Sequence, residues 1–340
     1  MSTSTRIPSL DGLRAISITF VLLAHLVKWK HISAAIPQAY GTTGVHIFFV
    51  LSGFLITSLL LKEFEATGTI SVREFYIRRA YRIFPAAFVF LAIVMVFFWH
   101  EIRWYHLAAA VFYAANMDMS RPWMFGHLWS LSIEEQFYLL WPFALRTWYR
   151  HRIAMVLCVF ALTPFFGAAL YAFKLHGGIA GSLPVSADKL AIGCLLAMFA
   201  SRLPKISRRL GLLMALAILL IPLFPSTSAG RTLFMLFVLK PVLDFSIAGV
   251  ILHVIQTPYR VLNWDPVVWL GKISYSLYLW QQMFCSNPAW HSGYILILPA
   301  IACAALSYYA VEQPMLRLRE RRSRKALSPP PVLEPSSLSA

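Results

Sequence analysis

Ten long apolar runs alternate with short polar segments along this chain, at roughly 10–29, 43–62, 84–100, 127–147, 153–173, 185–201, 209–224, 231–255, 267–287 and 293–312. A helix needs about 20 mostly apolar residues to cross a bilayer, and these runs are of that order. The pattern predicts an all-α fold: a polytopic membrane helix bundle of about ten transmembrane helices. A further run, "YHLAAAVFYAANM" (105–117), is too brief to cross and is expected to lie at the interface or to re-enter. Neither heptads nor a clear internal repeat is visible. Beyond the last run the character changes to "RLRERRSRKALSPPPVLEPSSLSA". We therefore expect one transmembrane domain over 1–315, then a basic and Pro/Ser-rich tail over 316–340 without fixed structure.

Composition agrees with lipid as the solvent. Of the 340 residues 59% are hydrophobic and 13% charged, against about 25% charged in an average soluble domain. The formal net charge of +16 would suit nucleic acid, but the basic residues sit in short clusters between apolar runs, so no nucleic-acid partner is expected. With the N-terminus in the cytoplasm, cytoplasmic segments hold 20 Lys and Arg and the opposite face holds six. Arg14, Lys189, Lys240 and Lys272 remain within the spans. That bias predicts both termini in the cytoplasm. The tail arginines are read as a topology anchor that can also meet anionic lipid headgroups.

Cys158, Cys194, Cys285 and Cys303 all fall in apolar segments without C-x-x-C spacing. They are read as small core hydrophobes rather than disulfide partners or zinc ligands, and no metal is expected. The Ser/Thr-rich start and the uninterrupted first run carry no small-residue cleavage site, so the first helix is expected to be retained.

Against this background the ionisable residues inside the runs stand out, because charge at membrane depth is costly and tends to mark function. In "LDGLRAISITFVLLAHLVKW" (10–29), Arg14 and His25 are eleven residues apart. At about 100° and 1.5 Å per residue they share a helix face about 16 Å apart along the axis. A cation at the mouth and a proton-transferring base within suit a long anionic ligand whose reactive end projects inward. The competing reading pairs Arg14 with Asp11 and leaves His25 as an interhelical hydrogen bonder.

Arg78, Arg79 and Arg82 in "YIRRAYRIFP" (76–85) fall on one or two adjacent helix faces. They form a phosphate clamp or a positive-inside anchor. In "GHLWSLSIEEQFYLLWP" (126–142), Glu134 and Glu135 lie deep in an apolar run, where a carboxylate requires a cation, a proton or water. General base, orienter of His25, counter-ion for an arginine, or a structural pair with Lys189 or Lys240 all remain open. Gly41, Gly44 and Gly53 allow close helix approach. Ser52, Ser274, Tyr275, Ser276, Tyr278 and Trp280 are candidates for a polar passage, and His46 is read as structural. The G-x-S-x-G, G-x-x-x-x-G-K-[ST], G-x-G-x-x-G and H-E-x-x-H patterns are missing, which counts against serine hydrolases, nucleotide hydrolases, dinucleotide enzymes and zinc proteases.

Six motifs in order, "LDGLRAISITFVLLAHL", "GVHIFFVLSGFLI", "FYIRRAYRIFP", "HLWSLSIEEQFYLLWP", "ISYSLYLW" and "YYAVEQP", closely resemble those of the membrane-bound acyltransferase-3 family of O-acyltransferases. The resemblance spans about 6–320. It implies a multi-pass protein of the cell inner (cytoplasmic) membrane that moves an acyl group, usually acetyl from cytoplasmic acetyl-CoA, onto a hydroxyl of an acceptor. That acceptor would be a glycan of the cell envelope or a secondary metabolite. By the resemblance His25 and Arg14 form the family's Arg–His pair, with His25 as general base or transient acyl carrier. Arg79 and Arg82 would be the family's R-x-x-R motif for the donor, and Glu134 and Glu135 its acidic pair; together with Arg14 and Arg78, placed beside them by the residue pattern, those arginines are expected to hold the donor phosphates. Two positions depart from the family: His46 stands where an Asp is common, and Gln281 where a His is common. Gln281 cannot act as a base. The residues alone leave two other classes open, a proton-coupled transporter of a small anionic or sugar-like solute and a non-catalytic scaffold.

Overall fold

In the computed structural model, residues 7–27, 35–174, 183–224, 229–285 and 296–327 are described, and among them no strand occurs. The helices are α1 (Pro8–Val27), α2 (Ala35–Thr67), α3 (Val72–Phe98), α4 (Trp104–Val111), α5 (Leu128–Thr147), α6 (Arg152–Ala172), α7 (Leu183–Phe199), α8 (Arg208–Leu220), α9 (Ala229–Phe234), α10 (Lys240–Gln256), α11 (Asp265–Lys272), α12 (Ser274–Phe284), α13 (Ile297–Ser307) and α14 (Gln313–Leu327). Among the described residues, each long apolar run is largely helical. Among the same residues, five stretches are both long and apolar enough to cross a membrane: Pro8–Leu26, Gln38–Thr67, Val72–Glu101, Tyr149–Ala172 and Gly230–Gln256. Of the short run at 105–117, only 105–111 are helical, as part of the eight-residue α4.

Several boundaries differ from the hydrophobic pattern for local reasons. The third helix begins at Val72, twelve positions before its apolar run, because Ser71 caps it by accepting from the Glu74 N–H at 3.4 Å. Arg78, Arg79 and Arg82 thus ride on the helix itself. Upstream, α2 extends to Thr67 and stops at Gly68, whose φ of +72° is a left-handed conformation suited to glycine. The run at 267–287 is broken into α11 and α12 at Ile273. Wider π turns interrupt two other runs, at Met235–Leu239 and Tyr308–Glu312.

The tail expectation is corrected in part: 316–327 continues as α14 instead of lacking structure. Its Leu, Arg and Glu residues are good helix formers, Arg317 donates to Gln313 one turn back at 3.1 Å, and Arg322 donates to the Tyr81 hydroxyl at 2.6 Å. Residues 328–340, Lys28, Lys30 and the run boundaries within 286–295 lie outside the described residues.

Apolar side chains on the outside carry the signature of lipid contact. Phe88, Val96 and Phe97 on α3, Leu139, Leu140 and Phe143 on α5, and Leu157, Leu162 and Phe165 on α6 are all exposed. Cys158 is exposed on α6, whereas Cys194 and Cys285 are buried. Inside, α1 and α7 pack against α2. The α2–α7 crossing is close enough that a side chain at Gly193 would meet the Val50 carbonyl and the Phe54 N–H. Gly193→Val is accordingly expected to cost about 1–3 kcal/mol by overpacking, seen as a lowered unfolding temperature in detergent. An unchanged temperature would mean that the two helices separate freely.

Candidate active site

Two ends of the bundle matter, and chain direction alone sets them apart. Helices α1 and α3 start at the same end, so Asp11, Arg14, Arg78, Arg79 and Arg82 share it. The end of α1 and the start of α5 lie at the other, where His25 meets Trp123 edge-on with ring centroids 6.4 Å apart.

On α1 the residues flanking the Arg14–His25 direction face inward. Ile18 and Val21, within about 40° of it, are 0% and 2% exposed, while Ile16 and Leu23 on the opposite face are exposed. Arg14 and His25 therefore share the stripe that looks into the bundle, as the spacing predicts. Arg14 makes an ion pair with Asp11 at 3.7 Å. It also lies within electrostatic reach of Arg82, Tyr138 and Glu134.

Beside Arg14, α3 and α5 supply a buried polar knot. Arg79 Nε approaches Glu135 Oε1 at 3.5 Å, and its guanidinium lies over the Tyr138 ring, 3.6 Å from the centroid. Glu134 accepts hydrogen bonds from Ser52 of α2 and from Tyr138. Tyr138 Oη in turn sits 2.8 Å from Ser52 Oγ. Of the roles open for the acidic pair, Glu135 takes that of arginine counter-ion. Neither carboxylate pairs with Lys189 or Lys240: Lys189 Nζ donates to its neighbour Asp188 at 2.6 and 2.7 Å. Arg78 departs from Arg79 and Arg82, turning to Glu63 of α2 at 2.9 Å. Glu312, within reach of Arg82, accepts from Ser276 of α12. Gln281 is fully buried beside Gln282.

The far end is closed by the segment between α4 and α5. His106 Nδ1 lies 2.6 Å from Asp118 Oδ2, and Ser120 Oγ donates to Asp118 Oδ1 at 2.8 Å. Burial pushes the Asp118 carboxyl up, but these hydrogen bonds outweigh it and hold the group below the usual carboxylate range. Arg121 Nη1 donates to the carbonyls of Ala115 and Asp118 at 3.2 and 2.7 Å. Gln282 Nε2 reaches the Trp123 carbonyl at 3.0 Å. These bonds fix Trp123 against His25.

Sequence reasoning overlooked Tyr138 and His127 although both stand in a motif it quotes. Tyr138 lies four residues beyond Glu134, the spacing that stacks side chains on one helix face, so a signal for it existed. His127 carried no such signal.

Comparison with known proteins gives a consistent direction. The family model described as an acyltransferase domain matches residues 7–310. YrhL of Bacillus subtilis (strain 168), a peptidoglycan O-acetyltransferase by a name that marks the assignment as provisional, is 31% identical, covering 91% of this chain and 55% of its own length. The peptidoglycan O-acetyltransferase OatA of Listeria monocytogenes serovar 1/2a (strain EGD-e) is 28% identical, covering 81% of this chain and 49% of its own. The chain thus spans about half the length of these relatives. No solved structure matches.

Proposed function

Because the chain belongs to the family of this acyltransferase domain, we propose that it is an integral membrane O-acyltransferase moving acetyl from acetyl-CoA to a hydroxyl of an envelope glycan. Peptidoglycan fragments are the acceptor to try first, given the names of the relatives. In this reading the helices form about ten spans of the cytoplasmic membrane, with both termini in the cytoplasm and 1–315 as one domain.

The observation that carries the reading is the inward stripe of α1, with Arg14 among arginines at one end and His25 at the other. Arg14 and Arg82, steadied by Arg79 and its counter-ion Glu135, hold the phosphates of the donor at the cytoplasmic end. Arg78, tied to Glu63, supports the rim. The donor supplies an activated thioester, which reaches the His25 end of the bundle. There His25 takes the proton of the acceptor hydroxyl while its oxygen attacks the thioester carbonyl carbon. The carbon–sulfur bond breaks, and His25 returns the proton to the leaving thiolate. Glu134, with Ser52 and Tyr138, keeps the polar core between the two ends in register.

Acetyl-CoA should therefore stabilise the detergent-purified protein against heat. Ligand at about 100 times its dissociation constant contributes about 2.7 kcal/mol, and Arg14→Ala with Arg82→Ala should remove most of that shift. A flat response of the wild-type protein at millimolar acetyl-CoA would overturn the reading and favour a transporter or scaffold.

A further inference from the structure

His127 opens α5 at the same end of the bundle as His25, and it is 3% exposed. Neither ring nitrogen has a hydrogen-bond partner. A buried polar atom left unpaired costs about 1–3 kcal/mol, so an imidazole with both nitrogens in that state is poorly explained as a packing residue. Its surroundings sharpen the point. The ring is packed edge-on by Phe90 of α3 and by Tyr278 of α12, with centroids 5.5 Å away in each case. The one hydroxyl in that wall, on Tyr278, is already engaged with Ser130 Oγ at 2.5 Å. Both hydroxyls lie 3.2 Å from the His127 backbone carbonyl, so whichever of the two accepts from the other is free to donate to that carbonyl. These bonds hold the main chain of residue 127 in place and leave its imidazole to something else.

The basic side chains within electrostatic reach of the ring are His25 and Arg121. Both are basic, so the site is one where developing negative charge is welcome. A neutral imidazole carries one N–H donor. Fixed donors aimed at the position where an oxyanion forms are a large catalytic term in acyl transfer.

From this geometry we infer that His127 is a second catalytic imidazole, donating a hydrogen bond to the carbonyl oxygen of the acyl thioester as it becomes an oxyanion. The inference rests on the acyltransferase reading and divides the work between two histidines. His25 moves the proton. His127 stays in one protonation state and stabilises the charge on oxygen, so no bond to it forms or breaks.

The test uses the full chain in detergent, with acetyl-CoA and peptidoglycan fragments as probes. Wild type, His25→Ala, His127→Leu and His127→Gln are compared for acetyl-CoA-induced thermal shift and for steady-state transfer. His127→Leu is expected to lose about 10²–10³-fold in kcat, with KM for acetyl-CoA and the thermal shift unchanged. His127→Gln, which keeps an N–H donor, should recover at least about tenfold of that loss. Should His127→Leu fail to fold, His127→Gln must still bind acetyl-CoA and turn over measurably below wild type. Equal kcat for wild type, His127→Gln and His127→Leu overturns the inference, as does equal loss in both variants together with the thermal shift. If instead wild type shows neither a thermal shift nor transfer, the underlying acyltransferase reading is what fails, whereas a fully active His25→Ala overturns only the proton-transfer role given to His25.

Discussion

Replacement of His25 by alanine is expected to reduce acetyl transfer by about 10²–10⁴-fold, the usual contribution of a positioned acid–base group. The variant should keep its unfolding temperature and its stabilisation by acetyl-CoA. The reason for that split is positional. His25 stands near the C-terminal end of α1, against Trp123, about 16 Å along the axis from Arg14. The groups proposed to hold the donor phosphates are thus remote from it, and α1 packing is supplied by apolar neighbours such as Ile18 and Val21. A loss confined to kcat identifies an interaction made in the transition state. Parallel loss of donor binding would show that His25 belongs to the binding surface, and near-normal turnover would remove it from the chemistry.

The second large effect is on stability. Glu135→Ala should destabilise the protein by about 3–5 kcal/mol, because it leaves the Arg79 charge buried without its carboxylate. Both side chains are largely buried, and the Tyr138 ring beneath Arg79 offsets only part of the loss, about 2 kcal/mol for a desolvated cation–π contact. Replacing both members by apolar residues of similar size, Arg79→Met with Glu135→Leu, should restore most of the unfolding temperature, since a dry pair and a well-packed apolar pair are often close in free energy. The double variant should nevertheless fail to regain stabilisation by acetyl-CoA. Recovery of stability without ligand response separates the structural part of this pair from its part in donor binding. A cost below about 1 kcal/mol for Glu135→Ala would instead indicate a solvated pair.

Much of the candidate site was legible before any fold was known. Arg14 and His25 share a face by helix arithmetic, and Glu134 and Glu135 draw attention because carboxylates at membrane depth demand a partner. The partner itself was not legible. Glu135 meets Arg79 across 56 residues, and Ser52 meets Glu134 across 82; no local spacing encodes such distances. For the same reason Arg78 and Arg79, adjacent in sequence, diverge to Glu63 and Glu135 on different helices. The expectation for the tail failed over 316–327 because composition weighed its charge and ignored that Arg, Leu and Glu favour a helix when Tyr81 is there to receive Arg322.

By itself, the sequence determined the helical class, the apolar runs, the inward stripe of α1 and the family, because these depend on residue order along one element. The tertiary structure alone decided which charges pair, that Tyr138 underlies Arg79, and that His127 is sealed among Phe90 and Tyr278 with its ring nitrogens unsatisfied. Those facts depend on contacts between helices distant in the chain, and burial turns each such contact from a weak preference into a requirement.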